Sequence, residues 1–245
     1  MEQEPGELAR HLIGEARGRG RTSLDELAAK RVLAAYGIDV PRSVRIPVSG
    51  PSPDELHALT APYVLKVMSA DVLHKSDVGG VRLGLRDAES LIAARDEMTR
   101  NLAQSGMRLD GFLVEETAPR GHDVVIGGMR DASFGQVLMF GLGGIFVEVL
   151  RDVAFRVCPI EPVDAREMIA ELRGAPVLAG ARGGLKIDEQ RVVDLLMTIG
   201  GPRGLLMELE KELDEVDLNP VIVSEHRAVA VDARLVLSAR LGNER

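Results

Sequence analysis

Tryptophan is missing from this chain, and aromatic residues of any kind make up only 3% of it. That scarcity removes the stacking platforms on which single-stranded nucleic acids are held. A basic excess is missing as well. Lys and Arg number 30 against 38 Asp and Glu, a net charge of −8, and no basic stripe tracks a phosphate backbone. There is a single cysteine, Cys158, so neither an intrachain disulfide nor a cysteine zinc cluster can form. In AFRVCPI it reads as a small buried hydrophobe. Long apolar runs are lacking too. The most apolar stretch, VLMFGLGGIFVEVL at 137–150, contains Glu148 and three glycines. It is also shorter than the ~20 residues that span a bilayer. The N-terminus has no uninterrupted apolar segment of the kind a signal peptide needs. These absences predict a cytoplasmic protein with neither a nucleic-acid nor a membrane partner.

What is present is an ordinary globular balance, 45% hydrophobic and 28% charged over 245 residues. That length suits one large domain or two modest lobes. Residues 1–22 are charged and Gly/Arg-rich near their end, which predicts a frayed or loosely docked lead-in. A helix follows, with Ser23 as N-cap, Glu26 completing a capping box, a stripe of Leu24, Leu27, Ala28 and Val32, and Gly37 at its end. A second helix is expected to open at Ser52-Pro53-Asp54-Glu55. Strands are predicted over 44–48, 63–68, 81–85 and 111–116, with a helix over 88–101. The second half begins with an antiparallel hairpin, 123–129 and 136–140, turning at Asp131-Ala132-Ser133. A glycine loop (141–144), apolar segments at 145–150 and 153–160, helices near 165–173 and 188–200, and strands near 214–219 and 228–232 complete the chain. The class is α+β, as two lobes at 23–114 and 115–242.

The run VLKVMSADVLHKSDVGGVRLGL at 64–85 carries most of the chemistry. Alternation puts Val64, Lys66 and Met68 on one strand face. A lysine there either faces a cleft as a point charge for phosphate or guards an edge strand against aggregation. His74 is a candidate phosphoryl acceptor or a solvated loop histidine. Gly79 and Gly80 let backbone approach phosphates and let the loop move. In EVDLNPVIV and AVAVDARLV, Asp217 and Asn219 share a strand face, Pro220 stops regular pairing, and Asp232 ends a second strand. Hard oxygen donors on adjacent strand ends suit Mg²⁺; turn hydrogen bonds are the alternative. In GFLVEETAPRGHDVVIGG, the strand end offers backbone groups to an adenine edge and Asp123 a carboxylate to a ribose, or the segment is a solvated acidic turn. GLGG could cradle an anion, but no P-loop and no GxGxxG at a strand-to-helix junction is present.

Taken in order, LKVMSADVLHKSDVGGV, LVEETAPRGHDVVIGGMRD, FGQVLMFGLGGIFVEVLRDVAFRVCPI, the ARG of LAGARGG, VDLNPV and VDAR resemble the β subunit of ADP-forming acyl-CoA synthetases (acetate–CoA ligase type). That family has an ATP-grasp domain and is related to the succinyl-CoA synthetase β subunit. The resemblance implies two lobes clasping ATP, with Lys66 on the phosphates and the adenine hinge at Val114, Glu115 and Glu116. It implies Asn219 and Asp232 as magnesium ligands, with Asp217 where relatives place another acid, and His74 as the phosphate-accepting histidine of a mobile loop. Asp123 stands where many relatives carry Glu. The implied reaction is acyl-CoA + ADP + phosphate ⇌ acid + CoA + ATP. The CoA-binding module that forms acyl phosphate is not in this sequence, so an α subunit is the expected partner. A stand-alone ATP-grasp carboxylate–amine ligase and a non-catalytic nucleotide-binding regulatory module are the alternatives.

Overall fold

The computed structural model describes residues 4–50, 56–69, 75, 78–144 and 149–239, with Arg182 by its backbone alone. The chain forms two compact units, Pro41–Ala118 and the combination of Met1–Val40 with Pro119–Arg245.

Two helices open the chain, α1 (Pro5–Gly18) and α2 (Glu26–Ala35). The expected lead-in is therefore corrected. Proline starts α1, and Ala9, Leu12, Ile13 and Ala16 fall at helical spacing and are buried in the core of the larger unit. Arg10 reaches Glu212 at 3.1 Å, and Arg17 donates to the Ser238 carbonyl at 2.9 Å. Charged residues between the apolar positions hide this stripe from a reading of composition. The cap of α2 is also corrected. Asp25 accepts from the Ala28 N–H at 2.9 Å, while Ser23 bridges Val236 and the Leu24 N–H donates to the Leu235 carbonyl. Pairing keeps Ser23 and Leu24 extended, which moves the cap two residues on. The buried face of α2 includes Glu26, Ala29, Lys30 and Leu33, and the larger unit, not the lobe at 23–114, claims the helix.

The smaller unit is a four-stranded antiparallel sheet with strand order β1-β4-β2-β3. Its strands are β1 (Ser43–Ile46), β2 (Tyr63–Met68), β3 (Val81–Leu85) and β4 (Gly111–Glu116). Helix α3 (Ala88–Gln104) connects β3 to β4 and is capped by Asp87, with Ser90 completing the box. Its Leu91, Ala94, Met98 and Leu102 pack on Leu65, Val67, Phe112 and Val114. Alternation then assigns Val64, Lys66, Leu113 and Glu115 to the other face.

The larger unit holds a sheet ordered β10-β8-β5-β6-β7, with β9 beside β8. These are β5 (His122–Asp131), β6 (Gly135–Leu142), β7 (Val153–Val157), β8 (Leu213–Val223), β9 (Ala228–Ala230) and β10 (Arg234–Leu237). The β5–β6 hairpin turns where expected, because the Asp131 carboxylate accepts from the Ser133 and Phe134 N–H groups at 2.7 and 2.9 Å. Those bonds hold its pKa below the usual carboxylate range. Helices α4 (Pro162–Glu171) and α6 (Glu189–Gly200) join α1 and α2 on one face, burying Val124, Ile126, Leu138 and Phe140. Cys158 sits in this core, and burial pushes its thiol up to about 11.

Pro220 does not end β8. Ile126 pairs Leu218 and Val124 pairs Val221, so Val125 alone stands opposite Asn219 and Pro220. This is a β-bulge, where a missing N–H is tolerated and a neighbouring side chain is re-aimed. Strand β10 lies beyond the expected elements. Among the described residues no helix is long and apolar enough to cross a membrane.

Buried Asp152 fastens the end of the glycine-loop connection to the short helix α5 (Ala175–Leu178), accepting from the Arg173 and Gly174 N–H groups at 2.8 Å each. Asp152→Ala strands both donors and is expected to cost about 1–3 kcal/mol. Urea unfolding checks this: the midpoint should fall at constant slope.

Candidate functional site

Lys66 is on β2 and is 3% exposed. Its Nζ lies 2.9 Å from Glu115 Oε2. The ladder explains why. Val64 pairs Glu115 and Lys66 pairs Leu113, so Lys66 and Glu115 are diagonal neighbours on one face. Lys66 is on an inner strand of the sheet, so the edge-guard reading fails.

The other hinge candidates divide differently. Val114 turns into the core beneath α3, and β4 has β1 on one side and β2 on the other. Glu116 accepts from the Thr60 N–H at 2.8 Å and meets Arg42 at 3.5 Å, which ties down the strand end. Gly79 has φ +65, in the left-handed region. Gly80 is a packing glycine: a Cβ there would sit 2.6 Å from Val67 Cγ2, and its N–H donates to the Lys75 carbonyl at 2.7 Å. His74, the helix start at 52–55 and Glu148 lie outside the described residues.

In the larger unit the candidate metal ligands lie on neighbouring chain segments of one sheet. Val221 pairs Ala230, Asp217 pairs Arg234, and the Val231 N–H donates to the Pro220 carbonyl at 3.0 Å. One register runs through all three pairings and places Asp232 opposite Asn219. Asp217, two residues before Asn219 on β8, has Gly127 of β5 as its other strand neighbour. Arg234 opposite Asp217 is itself drawn 3.5 Å from Glu215. The donors are an amide oxygen and carboxylates, a hard all-oxygen set that fits Mg²⁺ and not a soft metal.

Asp123 is exposed on β5, and its carbonyl accepts from the Gly143 N–H at 2.7 Å. It borders a pocket of about 350 Å³ shared with His122, Gly143, Gly144 and Val177. A larger groove, about 1070 Å³, is lined by Ile169, Arg173, Pro176 and Lys186 and touches none of the expected site residues. The structure thus pairs Lys66 with Glu115, sets Asp232 opposite Asn219 in the register, and bonds the Asp123 carbonyl to the glycine loop. The Glu115 carboxylate is the group the sequence reading missed, since it treated the residue as hinge backbone. The signal was the shared alternation of 64/66 and 113/115.

Comparison with known proteins agrees with these elements. The family model described as an ATP-grasp domain matches residues 15–237. The β subunit of acetate–CoA ligase (ADP-forming) I of Pyrococcus furiosus is 38% identical over 231 residues, 94% of this chain and 97% of the relative. Acetyl-coenzyme A synthetase 1 of Ca. Korarchaeum cryptofilum, solved with coenzyme A and Ca-AMPCP, superimposes with a TM-score of 0.85 at 38% identity, covering 94% of this chain and 100% of that one. A second structure of that enzyme, with coenzyme A and Mg-AMPPCP, has its phosphohistidine segment pointing towards the nucleotide site; its TM-score is 0.80 at 38% identity, with the same coverage. The fold, the order of the motifs and this full-length similarity together make the chain a member of the ATP-grasp family, alongside the β subunits of ADP-forming acetate–CoA ligases.

Proposed function

We propose that this chain is the nucleotide-handling β subunit of an ADP-forming acyl-CoA synthetase, working in the cytoplasm with a CoA-binding α subunit. The observation that carries the reading is the opposition of Asn219 and Asp232 across one register, beside a bulge. Lys66 supplies a fixed positive charge to the nucleotide phosphates, and Asp123 a carboxylate to the ribose. Asn219 and Asp232, with Asp217 near them, hold Mg²⁺. The ion, when bound, neutralises phosphate charge.

The group transfer runs through His74. An imidazole nitrogen bonds the phosphorus of an acyl phosphate made on the partner, the P–O bond to the acyl oxygen breaks, and the acid leaves as carboxylate. A terminal phosphate oxygen of ADP then attacks the phosphohistidine, the N–P bond breaks, and ATP forms with the imidazole restored. Incubation with γ-labelled ATP and Mg²⁺ should put an acid-labile, base-stable label on this chain and none on His74→Ala. Equal labelling of both proteins eliminates the relay. Dependence on CoA, with no turnover of an amine, separates this reading from a carboxylate–amine ligase.

Asp232→Ala is expected to weaken Mg²⁺-dependent ADP binding on the order of 10- to 100-fold, as loss of a directly coordinating carboxylate should. Binding measured in EDTA should stay close to wild type. Titration calorimetry in the two buffers makes the comparison, and equal weakening in both would point to a folding defect instead.

A further inference from the structure

We propose that the Glu115 carboxylate is the positioning residue for Lys66, holding its ammonium aimed and charged for nucleotide phosphate. This rests on the reading that Lys66 meets the phosphates. The contact is 2.9 Å, and the two side chains are 4% and 1% exposed. A lysine so deeply buried keeps its proton only beside a compensating charge, because desolvation favours the neutral amine. It also has a flexible four-carbon stem, which an anchored carboxylate restricts to one direction. Glu115 is suited to that task. It stands on an inner strand, and the diagonal to Lys66 is set by the ladder itself.

Within the sheet, Glu115 is the charged side chain that the ladder brings to Lys66. The residues flanking Lys66 on its face are Val64 and Met68 of β2, with Leu113 of β4 and Val81 of β3 as register partners; none carries charge. Arg82 of β3 faces the other way and meets Glu97 of α3 at 2.8 Å. Lys75, in the β2–β3 connection, is the other lysine of this unit. A carboxylate that touched phosphate would repel it. Glu115 therefore acts through Lys66, as the ion-pair partner that fixes where the ammonium sits.

The test is ADP affinity in EDTA between pH 7 and 9, by calorimetry on the full chain. Wild type should give a flat profile. Glu115→Gln keeps the shape but removes the charge, so its affinity should fall with rising pH, approaching tenfold per unit as Lys66 loses its proton. Glu115→Asp restores the charge on a shorter arm, so it should bind several-fold more weakly yet with a flat profile. It also serves as the working variant if Glu115→Gln does not fold, and undiminished affinity in it would then refute the role. A Glu115→Gln profile parallel to wild type overturns the proposal and leaves the Lys66 reading intact. Lys66→Met binding ADP as tightly as wild type overturns both.

Discussion

Replacing His74 with asparagine is expected to lower ATP formation from acyl-CoA, ADP and phosphate by roughly 10³-fold or more, with ADP affinity unchanged within about twofold. The amide of asparagine has no nucleophilic nitrogen, so phosphorus cannot be passed on through it. The acyl phosphate and the nucleotide then have no covalent link between their two sites. Imidazole suits the task because phosphohistidine has a high transfer potential, which lets the step run in either direction. On the proposed reading nucleotide binding draws on Lys66 and on Asn219 and Asp232, so it should survive the substitution. A coupled assay with the α subunit present gives the rate, and calorimetry gives the affinity. Turnover within tenfold of wild type would exclude His74 as the carrier.

The second large effect is on stability. Lys30→Met is expected to destabilise the fold by about 3–5 kcal/mol, because it leaves a buried carboxylate without its ammonium. Lys30 is 2% exposed, Glu26 is 7% exposed, and the two meet at 2.7 Å one turn apart on α2. With glutamate four residues before lysine, the pair has the favourable helical order. Burial changes the scale of the effect. On a helix surface such a pair contributes only tenths of a kcal/mol, about 0.2–0.5. In the interior, breaking it exposes the full desolvation penalty of the remaining ion. The double substitution Glu26→Gln/Lys30→Met removes both charges and should regain most of the loss. Urea midpoints of the wild type, the two single variants and the double variant make the cycle. A loss below about 1 kcal/mol in Lys30→Met would mean that water reaches Glu26 readily.

Much of the fold could be read from pattern. Strands β2, β3 and β4 occupy 63–68, 81–85 and 111–116, as period-2 alternation and turn residues indicated. The β5–β6 hairpin turned at Asp131, where a short acidic side chain bonds its own backbone. These are local signals, complete within a few residues of chain. The failures were all non-local. Helix α1 looked like a charged lead-in because the small and apolar residues it buries are recognisable only when a core exists to receive them. Ser23 lost the cap to Asp25 because β10, more than 200 residues away, pairs with the segment before α2. Regular pairing does break at Pro220, but β8 runs on to Val223 past a bulge that belongs to the partner strand as much as to its own.

The candidate site divides along the same line. By itself the sequence determined which residue types are available and in what order: a strand lysine, a glycine pair after a histidine, and two acids and an amide near strand ends. Those identities follow from chemistry carried on single residues, and the ordered motifs were enough to indicate the family. Only the tertiary structure decided which groups meet. Register placed Asp232 opposite Asn219, and a ladder diagonal joined Glu115 to Lys66. Strand pairing is a long-range choice in which a slip of one residue turns a side chain to the opposite face. The charge partner of Lys66 therefore could not be named until the strands were paired.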